Sequence, residues 1–112
     1  MADERTSSTD LDTASSLAEL VQYQPGAVVS RTVVKRKAGT VTAFAFDAGE
    51  GLSEHTAAFD ALVILIEGSA EVSVAGVAQR VTAGQVLRLP ASVPHALKAL
   101  SRFKMLLVMI RE

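Results

Sequence analysis

His55 and His95 are the only two histidines in the 112 residues, and the chain has no cysteine. Thiolate nucleophiles, disulfides, iron–sulfur clusters and cysteine zinc sites are thereby excluded. Any chemistry must use imidazole, carboxylate, hydroxyl or the cations of Lys and Arg. Each histidine falls beside a turn at the edge of a strand pattern. His95 follows Pro90-Ala91-Ser92-Val93-Pro94, where two prolines fix the backbone as the chain re-enters a sheet. Neutral imidazole is the commonest ligand for transition metals, so two such rings aimed into one cavity could hold Zn, Mn, Ni or Fe, weakly, with water or substrate oxygen completing the shell. The same rings could instead only hydrogen-bond nearby backbone, or one could act as a general base near neutral pH. No phosphate loop, Gly-x-Ser-x-Gly elbow or paired-carboxylate scaffold is present. Ser53, Ser92 and Ser101 lie near the histidines but lack an acidic orienter, so no catalytic residue is assigned.

The elements that must position these rings are short. With 49% hydrophobic and 21% charged residues, a net charge of -1 and a mean hydropathy of +0.31, the chain has apolar surface enough for one compact domain. Its longest apolar runs, Ala61–Ile66 and Met105–Ile110, are six residues each, too short to span a bilayer. The polar, acidic start Met1-Ala2-Asp3-Glu4-Arg5 does not resemble a secretory signal, and a cytoplasmic location is expected. Residues 1–12 read as a flexible tail and 13–112 as the domain. Leu17, Leu20 and Val21 at i, i+3 and i+4, with Asp12 or Thr13 to cap, predict a short N-terminal helix to about Tyr23, ended by Pro25-Gly26.

From Gly26 the period becomes two. Val28–Val34, Thr40–Phe46, Ala61–Ile66, Ala70–Val74, Val77–Val81, Gln85–Leu89, His95–Leu100 and Phe103–Ile110 read as strands punctuated by Gly and Pro. This predicts an all-β sandwich or barrel. In the last strand Phe103, Met105, Leu107 and Met109 share one face while Leu106, Val108 and Ile110 share the other, so neither face suits water. A homodimer is expected to cover the second face, the alternative being the chain's own N-terminal segment. Arg31, Lys35, Arg36 and Lys37 form the one basic cluster, but without interleaved aromatics it reads as a solvated turn rather than a nucleic-acid surface.

The stretch from Gly49 to Ala99 resembles the paired motifs of the cupin family. The first family motif, G-(x)5-H-x-H-(x)3-4-E-(x)6-G, is matched by Gly49, His55 and Gly68, with Ala57 and Ala61 standing where the second His and the Glu belong. The second, G-(x)5-P-x-G-x-x-H-(x)3-N, is matched by Gly84, Pro90 and His95, with Ser92 and Ala99 replacing Gly and Asn. The resemblance implies a cupin double-stranded β-helix, or jelly-roll, barrel. It also implies a metal site reduced to His55 and His95. Asp60, beside Ala61, is a possible extra ligand if a β-bulge turns it inward. Phe44, Phe46, Ala57, Ala61, Leu87, Met105 and Met109 would then line an apolar ligand pocket. Three readings follow: a module binding a small organic ligand or a loosely held divalent metal, a metal-dependent enzyme of oxygenase or isomerase type, and a metal-free isomerase using one His as base.

Overall fold

The computed structural model describes residues 10–111. Among them run nine strands: β1 (Val28–Arg36), β2 (Gly39–Phe46), β3 (Gly51–His55), β4 (Ala61–Glu67), β5 (Ser69–Val74), β6 (Val77–Thr82), β7 (Val86–Leu89), β8 (His95–Ala99) and β9 (Phe103–Ile110). They form a five-stranded antiparallel sheet, β1-β2-β9-β4-β7, facing a four-stranded one, β3-β8-β5-β6. This is the all-β architecture that the alternation predicts, arranged as the jelly roll that the family resemblance implies. No helix of the described residues is long and apolar enough to cross a membrane.

Period-two patterning decides what faces the space between the sheets. On β4, Ala61, Val63 and Leu65 are buried while Leu62 and Ile64 are half-buried. On β9, Phe103 and Met105 are fully buried. Phe103 stacks on Phe46 of β2 with ring centroids 4.4 Å apart. Each such ring removed from water is worth about 1.5–3 kcal/mol. Gly68 turns the chain from β4 into β5 at φ +81, where an added Cβ would overlap the Arg102 carbonyl oxygen and press to 2.7 Å from the Phe103 Cα. Only glycine meets both demands.

The expected N-terminal helix is not formed. The segment contains only short 3-10 turns at Asp10–Asp12 and Leu17–Glu19. Leu17 remains 51% exposed, and only the adjacent pair Leu20 and Val21 is buried. Two neighbouring anchors do not define a helical face, and a segment this short cannot offset the cost of helix nucleation without one. Leu20 and Val21 instead pack on the outer face of the large sheet, against Val33, Ala43 and Ala45. Arg31 donates to the Leu20 carbonyl at 3.0 Å, and the buried Lys104 donates to the Ala18 carbonyl. The Lys104 ammonium also lies 4.8 Å from the Tyr23 ring centroid, while the Tyr23 hydroxyl donates to Glu67 Oε2 at 2.6 Å. The chain's own segment thus covers part of the second apolar face of β9. Of the expected tail, residues 1–9 lie outside the described residues.

Candidate functional site

β3 and β8 run side by side and bring together two histidines 40 positions apart in sequence. Their register pairs Gly51 with Lys98, Leu52 with Leu97 and His55 with His95. Between Leu52 and His55 lies one residue more than between Leu97 and His95, which is a β-bulge. Strict alternation would send Leu52 and His55 to opposite faces. The bulge lets both line the same cavity.

Each ring is fixed from behind. His55 Nδ1 lies 2.8 Å from the Ser53 carbonyl oxygen and His95 Nδ1 lies 3.2 Å from that of Val93. A carbonyl oxygen only accepts, so each Nδ1 carries the hydrogen, and in the neutral ring Nε2 is left with a bare lone pair. The two Nε2 atoms face each other at 3.1 Å, with the rings inclined at 70°. Two lone pairs at that distance repel unless something electropositive joins them. His95 is only 5% exposed, and its burial, aided by neighbouring His55 and opposed by the Val93 carbonyl, pushes its pKa below 6.5. His55 is exposed at the cavity mouth.

The cavity measures about 40 Å³, against roughly 10–15 Å³ for one water on the same measure. Of the sequence-predicted pocket residues, Ala57, Ala61, Met105 and Met109 line it. Phe46 is instead sealed in the core, with Phe44 and Leu87 packed on it. The sequence reading missed Leu52, Leu89, Leu97 and Leu107. Leu107 and Leu97 were recoverable, since they sit two residues from Met105 and His95 on the same face; Leu52 was not, because β3 carries no alternating signal. Asp60 is not brought to the histidines. Its Oδ1 accepts from the Ala91 amide at 2.8 Å and its Oδ2 lies 3.6 Å from Arg88, as expected for the neighbour of an inward-facing alanine on a strand.

For a metal ion, the nitrogen donors at the cavity are the two imidazoles of His55 and His95. Their 3.1 Å separation suits two adjacent ligands with bonds of about 2.0–2.1 Å. Backbone carbonyls behind both Nδ1 atoms are the outer-shell arrangement that orients ligand histidines. Ala57 and Ala61 contribute no donor, and no group of three or more His, Cys, Asp or Glu able to hold a metal occurs among the described residues. The fit is to half a metal site. The loop carrying Ala57 is tied to the Pro90–Pro94 turn by the Ser92 amide, which donates to the Ala57 carbonyl at 2.7 Å, with Ser92 held at φ 62.

The family described as "Cupin domain" matches this chain over residues 43–111. Among solved structures, a conserved protein of unknown function from Streptococcus pyogenes is 34% identical, with a TM-score of 0.85 over 89% of this chain and 88% of that one. A cupin superfamily protein from Desulfitobacterium hafniense DCB-2 is 27% identical, with a TM-score of 0.82 over 86% and 88% of the two chains. A cupin 2 conserved barrel domain protein from Leptotrichia buccalis is 38% identical, with a TM-score of 0.81, over 84% of this chain and 46% of that longer one. No curated protein matches the sequence.

Proposed function

Because this chain belongs to the cupin family, we propose that its barrel is a binding module which takes an electropositive group between His55 and His95. The group is either the hydrogen-bond donor of a small organic ligand or a weakly held divalent ion. The observation that carries this reading is the approach of the two Nε2 atoms to 3.1 Å while a backbone carbonyl oxygen lies against each Nδ1, an arrangement that puts the ring hydrogens on Nδ1 and leaves the Nε2 lone pairs facing each other. An O–H or N–H donor, or a cation, relieves that repulsion. The aliphatic lining would receive the apolar part of an organic ligand and exclude water, which strengthens the polar contact at the imidazoles. His95, buried, would set the position of the group, and His55 would close on it from the mouth.

A divalent ion, when bound, would act as a Lewis acid with most of its shell open to water or ligand oxygen. The enzyme alternative asks for a carboxylate beside the two imidazoles. Asp60, engaged by Ala91 and Arg88, does not favour it.

Calorimetric titration of Zn, Mn, Ni and Fe(II) into the untagged wild type, His95→Ala and the double variant Ala57→His, Ala61→Glu tests the metal half of the reading. Binding should be weak and chelator-sensitive in the wild type, lost in His95→Ala, and at least about tenfold tighter in the double variant. Tight stoichiometric binding by the wild type would reveal a further ligand and favour the enzyme reading. Binding indifferent to His95→Ala would remove the His pair from the account.

A further inference from the structure

Three features of the cavity bear on which cation it would choose. The first is the lack of oxygen donors: Asp60 is turned away, and six of the ten lining residues are Ala or Leu. Hard divalent ions prefer carboxylate, carbonyl and water oxygen. With no carboxylate to neutralise it, a divalent ion would carry its full charge into an aliphatic lining. Charging energy goes as the square of the charge, so a monovalent ion meets about a quarter of that penalty.

The second feature is that the remaining donors are soft. Besides the two imidazoles, the only lining atoms with available lone pairs on side chains are the thioethers of Met105 and Met109. Imidazole with thioether is the donor combination that selects cuprous copper.

The third feature distinguishes the two methionines. Met105 lies between Phe44 on β2 and Leu65 on β4 and is fully buried in the core. Met109 is half-buried and lies directly opposite Ala61 on β4, so their Cβ atoms are about 4.5–5.5 Å apart. Alanine at 61 leaves open the volume into which a longer side chain at that position would reach. Met109 lines the same cavity as Ala61, and its unbranched side chain has the rotational freedom to turn the thioether toward that volume.

Resting on the His pair as the binding element, we propose that the cavity is a site for a soft monovalent cation, cuprous copper, held by Nε2 of His55, Nε2 of His95 and the Met109 sulfur. The ion enters and leaves as Cu(I), with no change of oxidation state.

The test is anaerobic titration of the full chain with cuprous ion, supplied as its acetonitrile complex in competition with bicinchoninate, beside a parallel titration with Zn(II). Copper-edge X-ray absorption on the loaded protein reports the donor atoms. The chain has no cysteine, and Met1, Met105 and Met109 are its only sulfur residues, so any sulfur neighbour of copper must be a thioether. One cuprous ion per chain should bind more tightly than zinc, with a sulfur neighbour. Met109→Leu, which conserves volume, should weaken cuprous binding at least about tenfold, abolish the sulfur signal and leave zinc binding unchanged. Met105→Leu should leave all three as they are, and His95→Ala should abolish binding of both ions. Zinc binding as tight as cuprous ion, or Met109→Leu without effect while His95→Ala still abolishes binding, would overturn the soft-cation site and leave the His pair standing. A sulfur signal that survives Met109→Leu and vanishes in Met105→Leu would overturn the assignment of the third ligand. Binding of both ions untouched by His95→Ala would overturn this inference and the proposed function together.

Discussion

His95 combines burial with a lone pair aimed at a second imidazole, and its protonation is therefore coupled to folding. Its pKa is lower in the folded chain than the ordinary 6.5, chiefly because burial disfavours the charged ring. The unfolded chain therefore binds more protons between the two values, and stability rises with pH across that interval. The contribution is complete above the ordinary value and is lost as pH falls through the folded one. Urea midpoints measured across that range should climb with pH in the wild type and lose the slope in His95→Gln. An unchanged slope would assign it to another group. Ala61 is only 3% exposed. Ala61→Glu alone should destabilise the fold by on the order of 1–3 kcal/mol, because the carboxyl would be buried without a partner and would tend to protonate; a urea titration at neutral pH checks it. At this scale the sequence was informative about which residue types were available and uninformative about where side chains end. The spacing of Gly49, His55, Gly84 and His95 marked both histidines. Nothing in it distinguished Phe46, sealed in the core, from Met109 at the cavity.

Among the elements, β3 shows why a site can be legible while the strand that carries it is not. Gly51-Leu52-Ser53-Glu54-His55 has one apolar residue and four of its five positions are exposed, so no alternation announces it. A bulge then breaks what alternation there is, and it is this irregularity that turns His55 inward. The N-terminal segment erred in the opposite direction. Its i, i+3, i+4 spacing is real, but tertiary anchoring by Leu20, Val21, Lys104 and Tyr23 overrides it. Burial and the Glu67 carboxylate hold the Tyr23 phenol well above its usual range, so near neutral pH it donates rather than ionises. Tyr23→Phe should therefore cost about 1.5–3 kcal/mol in chemical denaturation, the net worth of a hydrogen bond to a charged acceptor. A loss within error would mean that the strap is held by Leu20 and Val21 alone. Ser92, at φ 62, stands where the family motif has glycine, and left-handed backbone is unfavourable for any residue with a Cβ. Ser92→Gly should raise stability by about 0.5–1 kcal/mol, less than the full strain because glycine also gains freedom in the unfolded chain; a lowered melting temperature would contradict this.

For the molecule as a whole, an all-β barrel was readable because strand alternation and turn residues agree with one another along most of the chain, while the resemblance to cupins rested on the motif spacing of Gly49, His55, Gly68, Gly84, Pro90 and His95. Association is another matter, since it depends on how much of the outer face the chain covers by itself. Leu20 and Val21 cover Val33, Ala43 and Ala45, while Val29, Val34, Val41 and Leu106 around them are only partly buried and Ile110 is 50% exposed. A second chain against this remainder would bury it, and light scattering coupled to size exclusion should give twice 11.8 kDa at micromolar concentration. The mass of one chain would show that the N-terminal segment suffices. The central claim, that the barrel holds two imidazole lone pairs in want of an electropositive partner, is reached most directly by nitrogen-15 NMR of the two histidine side chains in the free protein, on the alkaline side of the ordinary histidine range. Both rings should carry their hydrogen on Nδ1 and none on Nε2. A hydrogen found on Nε2 of either ring would make the 3.1 Å contact an ordinary ring-to-ring hydrogen bond, complete in itself, and would contradict the claim.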